Sequence, residues 1–376
     1  MNKDNICDRE CCGCAACSAI CPVQAISMQE NERGFKVPII DNRKCIDCKA
    51  CQKVCREKNK FYFPKEVLIA KHSDNDVYLA SQSGGAFTAI SNSILFQNGI
   101  VYGAALNEKL ELFHVRATTI EERDKMRGSK YLQSNIEDVY QLLLQDLKAG
   151  FKVLFTGTPC QVAGIVKYVK TKKVDSSNLF TVDILCHGVP SVLIWRDLKK
   201  YYESKYQCQV NQMVLKETSK SKRLTHCYLI KDKLVSDELY RKLYYSNLAL
   251  RKVCYHCEYT SPNRVGDFSI GDAWGVKEKE PAFFDEKGVS LIMFNTDKAL
   301  QFKDTIMKNM NTGEVPLKDY MQQCMIKPAA PKRSPEGFWR DYKSRSFVYI
   351  IQKYAKHNVL LNISYIYSRL IKAITK

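Results

Sequence analysis

Eight of the cysteines between Cys11 and Cys55 fall into two runs. Cys11, Cys14, Cys17 and Cys21, with Pro22 next, form the first; Cys45, Cys48, Cys51 and Cys55 form the second. Each reads C-x2-C-x2-C-x3-C, the spacing with which bacterial proteins hold cubane 4Fe–4S clusters. Three thiolates two residues apart wrap three corners of one cube, and the longer spacer throws the fourth toward the other cube. One cluster is therefore expected on Cys11, Cys14, Cys17 and Cys55, and a second on Cys45, Cys48, Cys51 and Cys21. A disulfide framework would need an oxidising compartment, and nothing in the chain looks secreted. A zinc site would use one C-x2-C pair, not eight cysteines in duplicate. Arg56, not proline, follows Cys55, and Cys7 and Cys12 fall outside the pattern and read as bystanders.

Four further cysteines stand where a third cluster could bind. Cys160 and Cys186 each follow an expected strand, and Cys254 and Cys257 form a C-x2-C pair. Cys208, Cys227 and Cys324 read as ordinary thiols. Ser83-Gly84-Gly85 precedes an expected helix, so its backbone N–H groups suit a phosphate. Gly157-Thr158-Pro159-Cys160 is a second strand–loop–helix junction, where open α/β sheets bind ligands. Arg127-Gly128-Ser129-Lys130-Tyr131 adds two cations beside a glycine.

These residues need a scaffold. A polar linker is expected over 56–66. Helical spacing of apolar residues marks 84–98, 135–149 and a helix from Gln161 onward, with a short helix opened by Thr119 and Glu122 as a capping box. Apolar runs at 100–106, 152–155, 179–185, 265–271 and 289–295 read as strands, and Pro190 suits the first turn of a helix after the strand at 179–185. Strands alternating with helices predict an α/β sheet. The expected fold class is α+β or α/β: a small two-cluster domain over 1–60, a larger mixed α/β domain over 67–325, and a basic C-terminal segment over 331–376.

With 376 residues, 45% hydrophobic, the chain can bury more than one core. Its start, MNKDNICDRE, carries no secretory h-region, and no stretch nears the roughly 18 apolar residues of a spanning helix. A reduced cytoplasmic setting is expected. The formal charge is +18. Three clusters at about −2 each and a flavin dinucleotide would remove about eight charges, leaving a basic protein. That balance suits either a solvated surface or an acidic partner; no basic run with interleaved aromatics suggests nucleic acid. In 331–376 two readings stay open. Arg340, Lys343, Arg345, Lys353, Lys356, Arg369 and Lys372 would face lipid headgroups while Phe347, Ile350, Ile351, Leu360 and Ile366 enter a membrane interface, or the apolar set would pack on the body.

SQSGGAFTAI, GSKYLQS, LFTGTPCQVAG, DILCHGVPS and GDFSIGDAWG, behind the doubled cysteine run, resemble the coenzyme F420 hydrogenase/dehydrogenase beta-subunit family over roughly residues 8–325. The resemblance implies FAD in the larger domain, a further 4Fe–4S cluster beside it on Cys160, Cys186, Cys254 and Cys257, and hydride exchange at the flavin. Flavin contacts are expected at Ser83, Gly84, Gly85 and Thr88, at Ser129 and Lys130, at Gly157, Thr158 and Pro159, and at Asp272. His187 is the candidate proton donor, with orientation of its own loop as the alternative role. The expected partners are a ferredoxin or other acidic carrier, or F420 itself, and a small-molecule acceptor, with homo-oligomerisation left open. The rival roles are an electron relay within a larger complex and a flavin-free iron–sulfur protein.

Overall fold

The computed structural model describes residues 10–217, 225–230 and 233–356. Cys7, Leu360, Ile366, Arg369 and Lys372 lie outside these residues.

The N-terminal module pairs two short helices, Ala16–Ile20 and Ala50–Arg56, with an antiparallel hairpin of β1 (Ile26–Glu30) and β2 (Lys36–Ile40), in which Ile26 faces Ile40. The two cysteine runs repeat one backbone conformation. The residue before the second cysteine, Gly13 or Asp47, has φ of 74° or 53°, and the residue after it, Ala15 or Lys49, has φ of 61° or 59°. Three non-glycine residues in this left-handed region cost about 1–2 kcal/mol each. Such strain persists where the surroundings demand it; here it curls each run around a common centre.

The remaining strands are β3 (Glu66–His72), β4 (Ile100–Leu106), β5 (Leu112–Ala117), β6 (Val153–Gly157), β7 (Leu179–Ile184), β8 (Val210–Glu217), β9 (Thr225–Ile230), β10 (Lys233–Asp237), β11 (Phe268–Asp272), β12 (Ser290–Phe294) and β13 (Met310–Glu314). Three of them, β8, β9 and β10, form a separate antiparallel meander. The other eight form the sheet on which the body is built, in the order β13-β3-β12-β11-β7-β6-β4-β5. β11, β7, β6 and β4 run parallel, while β12 is antiparallel to both β11 and β3. The C-terminal ends of β3, β11, β7, β6 and β4 therefore share one edge, and the loops leaving that edge carry the residues of interest.

One face of the sheet is covered by helices Ala86–Leu95 and Lys303–Met307, which pack on Leu68, Val101, Leu154, Val182 and Ile292. The other face carries helices Val139–Lys148 and Pro159–Thr171 together with the N-terminal module. Ala16, Ile20, Ile26, Met28 and Val54 of the module share one buried cluster with Tyr102, Phe155, Val162 and Ile165 of the body. The expected linker is pinned as well, since Tyr62 and Arg264 exchange backbone hydrogen bonds at 2.8 Å each way and Glu66 already belongs to β3.

Several expected boundaries shift for identifiable reasons. The helix expected over 135–149 begins only at Val139, because Asn135 is held by backbone bonds to Leu112 and His114. The helix expected from Gln161 starts at Pro159, with Thr158 and Gln161 as its capping box. Pro190 lies outside the helix: Ser191 caps Val192–Tyr206, and Pro190 bridges to Leu250. At the C-terminal end, Ser334 caps helix Pro335–Ser344, and Phe338, Trp339, Ile350 and Ile351 are buried with Trp195, Leu198 and Tyr240. Ile350 and Ile351 are thus core residues, the outcome expected of a segment packed on the body.

Candidate functional site

Cys21, Cys45, Cys48 and Cys51 line one small pocket, floored by Val23, Ile26 and Ile40. Within it the Ala25 N–H donates to Cys21 Sγ at 3.2 Å, the kind of N–H···S bond that tunes a cluster's potential. Cys11, Cys14, Cys17 and Cys55 line a second, larger cavity of about 930 Å³. The structure thus separates the eight cysteines into the two interleaved sets expected from the spacing. Burial pushes the Cys17 thiol up to about 12 and raises Cys51, as it must for sulfur shielded from water.

The larger cavity has a further wall. Cys160, Cys186, Cys254 and Cys257 line it too, with His187 and Arg251 among their neighbours. Cys160 is the second residue of its helix and lies 3.2 Å from Thr158 Oγ1. Cys186 follows β7. Cys254 sits in the 3-10 turn Lys252–His256, with Cys257 just beyond. Burial raises the thiols of Cys186 and Cys257 and pushes Cys254 up to about 11. Arg251, 3% exposed, ties this wall to the N-terminal module by donating to Gln133 Oε1 at 2.7 Å, to Cys11 O at 3.1 Å and to Lys36 O at 3.1 Å. On the opposite side Gly164 lets its helix approach: a Cβ there would come within 2.9 Å of Cys14 Cβ and 2.8 Å of Tyr140 OH.

Cys12, expected to be a bystander, lines the same cavity. Hydrogen bonds from Cys14 and Cys160 favour its thiolate, and the thiols of Cys14 and Cys160 are pushed up in turn. Cys12 therefore lies between the two sets. Spacing hides it, because it is out of register and the left-handed Gly13 decides where it points. Among the described residues no three His, Cys, Asp or Glu side chains converge on a point suited to a single metal ion.

His187 also lines this cavity. Its Nε2 lies 2.7 Å from Asn247 Oδ1, and its ring stands 5.4 Å from those of Tyr244 and Tyr245. The Asn247 contact holds the ring on the loop that carries Cys186.

The residues expected to hold a flavin divide between two places. Gly157, Thr158 and Pro159 form the junction whose helix carries Cys160, and Pro159 lines the thiol cavity. Ser83, Gly84 and Gly85 follow β3 across the sheet edge. There a Cβ on Gly128 would meet Gln82 Oε1 at 3.2 Å, so the 82–85 loop and the Arg127–Lys130 loop face each other. Three buried polar atoms in this corner have no hydrogen-bond partner: Ser83 Oγ, His72 Nε2 and Arg127 Nε. Lys130 donates from Nζ to Met126 O and Arg127 O at 2.6 and 2.7 Å, and burial pulls its ammonium down to about 7. Gly85, with φ of 87°, is the N-cap of the ten-residue helix Ala86–Leu95, whose dipole points at the same place. Unsatisfied donors, a helix N-terminus and a buried cation fit the diphosphate of a dinucleotide. Ser129 is exposed and Asp272 ends β11 on the same sheet edge. Thr88 differs from expectation: it is 1% exposed and its carbonyl accepts from Arg123 Nη1 at 3.1 Å, so it supports the helix from inside.

Two interleaved thiol sets in a small N-terminal module, docked on an α/β body with a cysteine-lined cavity at the seam, define an iron–sulfur electron-transfer protein. Residues 10–59 match the 4Fe-4S dicluster domain family, and residues 150–319 match the family of the C-terminal part of the coenzyme F420 hydrogenase/dehydrogenase beta subunit. Residues 10–59 thus resemble a two-cluster iron–sulfur module, and residues 150–319 resemble the C-terminal part of that beta subunit. Among solved structures it is similar to a chain of the F420-reducing NiFe hydrogenase complex from Methanosarcina barkeri. The TM-score is 0.49 and the identity 18%, over 80% of this chain and 94% of the other. Among the described residues no helix is long and apolar enough to cross a membrane.

Proposed function

We propose that this protein is an iron–sulfur flavoprotein oxidoreductase that passes electrons from an acidic carrier such as ferredoxin, or from F420, to a small-molecule acceptor. Two clusters would sit on the interleaved N-terminal sets and a third on Cys160, Cys186, Cys254 and Cys257, with FAD held at the sheet edge. When bound, the clusters carry single electrons and the flavin joins them into hydride chemistry. The chain's own residues set the rest. Arg251 clamps the module to the body so that the inner thiol sets share one cavity. Ser83, Gly84, Gly85, Arg127 and Lys130 supply donors to the flavin diphosphate. Asn247 holds His187 Nε2, leaving the ring beside the cavity as the proton donor proposed for the acceptor.

The observation that carries this reading is the continuity of the thiol cavity: the inner N-terminal set and the four body cysteines line the same cavity. Iron analysis of anaerobically purified protein, with mass spectrometry of the released cofactors, tests it. We expect about twelve irons and one FAD per chain, and about four irons fewer in Cys257→Ser with the N-terminal pair intact. Unchanged iron in Cys257→Ser would make these four residues ordinary thiols, and protein loaded with iron but lacking flavin would reduce the chain to an iron–sulfur relay.

A further inference from the structure

The outer set differs from the inner one in a respect that bears on electron uptake: one of its cysteines is itself exposed, beside an apolar patch with basic residues around it. Cys48 is exposed, unlike its described partners in either N-terminal set. Beside it stand Ile46 at 62% exposed and Val23 at 37%. An isoleucine this exposed, at a pocket of proposed ligands, contributes little to the core. Around this patch Arg43, Lys44 and Lys49 are exposed. Asp47 is the acidic residue among those lining the pocket. The nearby Asp41 is already engaged by Arg43 Nε at 3.4 Å, and Glu57 by Lys170 at 2.6 Å.

We propose that this face docks a small acidic one-electron carrier protein, with the exposed Cys48 edge as the point where electrons arrive. The inference rests on the cluster reading given above and adds the place and the chemistry of the encounter. One electron leaves the reduced carrier, which is oxidised, and reduces the cluster on Cys21, Cys45, Cys48 and Cys51; no proton or atom is transferred. From there the route inward is short. Cys51 belongs to the outer set and Cys55 to the inner set, one helical turn apart on Ala50–Arg56, a rise of about 6 Å.

Charge and apolar centre divide the work. Rim cations steer an acidic carrier and raise its association rate, an effect that salt removes. The dry centre of Ile46 and Val23 excludes water where the two redox centres meet. Electron-transfer encounters need little area, below about 1,200 Å² in total, so a patch of this size suffices. A nucleic acid would use the basic rim, but it would have no use for an apolar patch over a sulfur ligand.

Stopped-flow reduction of the full-length anaerobic holoprotein tests the proposal. The reductants are a reduced, small acidic 4Fe–4S carrier protein and photoreduced deazaflavin, a small neutral reductant. The double variant Arg43→Glu, Lys44→Glu is compared with Lys148→Glu, Lys308→Glu, which changes net charge equally at exposed sites elsewhere. We expect the rim variant to be reduced by the carrier about tenfold more slowly at low salt, with the difference lost near 0.5 M salt, where the screening length is only a few ångströms. Deazaflavin should reduce all three proteins alike, and the remote variant should stay within about twofold of wild type. Equal slowing in the rim and remote variants, or none in either, overturns the docking face while a full iron content leaves the cluster reading standing. Wild-type protein that holds no cubane clusters overturns both.

Discussion

Lys130 supplies the sharpest test of the proposed flavin site, because replacing it should raise the stability of the flavin-free chain while lowering flavin affinity. Its ammonium is enclosed by the Met126 and Arg127 carbonyls, and burial alone brings it from 10.5 to about 7. No carboxylate offsets that cost. Because the folded value lies below the unfolded one, the cost is fully present below about pH 7 and is relieved as pH climbs toward 10.5. At pH 7 it amounts to about 4 kcal/mol, and by pH 9 to about 2 kcal/mol. Lys130→Met removes it but strands two carbonyl partners, at about 1 kcal/mol each. The variant should therefore be more stable than wild type by about 2 kcal/mol at pH 7, equal near pH 9, and less stable above. Urea unfolding of flavin-free protein across this range reads the crossover. FAD binding should weaken by about 10–100-fold, since a charged hydrogen bond contributes about 1.5–3 kcal/mol. A variant that is less stable at pH 7, or whose difference from wild type ignores pH, refutes the desolvated cation. Undiminished flavin affinity refutes its role toward the diphosphate.

The two neighbouring glycines should separate fold from binding. A Cβ on Gly84 would lie 2.0 Å from Ala70 O and 2.5 Å from Ser290 N, both backbone atoms of the central sheet, so Gly84→Ala should yield little soluble folded protein. Gly85→Ala meets a φ of 87° and two side-chain atoms, His72 Cβ at 3.0 Å and Ser81 Oγ at 3.3 Å; it should cost about 1–2 kcal/mol, keep its iron and lose flavin. Full flavin occupancy in that variant would contradict the site. At the C-terminal end, Ile350→Ala should destabilise by about 2–5 kcal/mol, because Ile350 is fully buried; a loss below about 1 kcal/mol in denaturant melts would mean that this segment is not core.

The N-terminal thiol sets are legible in the sequence, because ligand spacing is a local property and the repeated left-handed residues around Cys14 and Cys48 act within a few positions. β4 is legible as well, matching 100–106, since an apolar run buried on both faces reads clearly. β3 carries a similar signal, since Val67, Leu68, Ile69 and Ala70 are buried on both faces, but the run is only these four residues long and directly follows the polar approach from Arg56 to Glu66. The meander of β8, β9 and β10 escapes such a reading, as its strands pair with one another and carry no strong apolar alternation. Cys12 looks idle because spacing cannot report that Cys160, far along the chain, approaches it. The flavin corner is half legible. Glycines before a helix are visible in any sequence, whereas the orphaned Ser83, His72 and Arg127 donors emerge only when three loops meet.

The seam between module and body explains why a small two-cluster domain is fused here to a larger one. Ala16, Ile20 and Val54 bury themselves against Val162 and Ile165 of the body, and Tyr140 OH donates to Cys14 O at 2.5 Å. Arg251 holds the far side through Cys11 O and Lys36 O. The inner thiol set is therefore positioned by the body as much as by its own run, and the outer set mainly by its own module, although Cys21 and Cys51 still pack against the shared cluster. That asymmetry matches the proposed division of labour. An uptake site must stay exposed to meet a partner, so it can rely only on local backbone and a solvent-facing rim. A transfer site must hold its distance to the next centre, because electron transfer slows exponentially as the gap between centres widens. Packing, hydrogen bonding and the close approach allowed by Gly164 all act on the inner set, where that distance has to be kept.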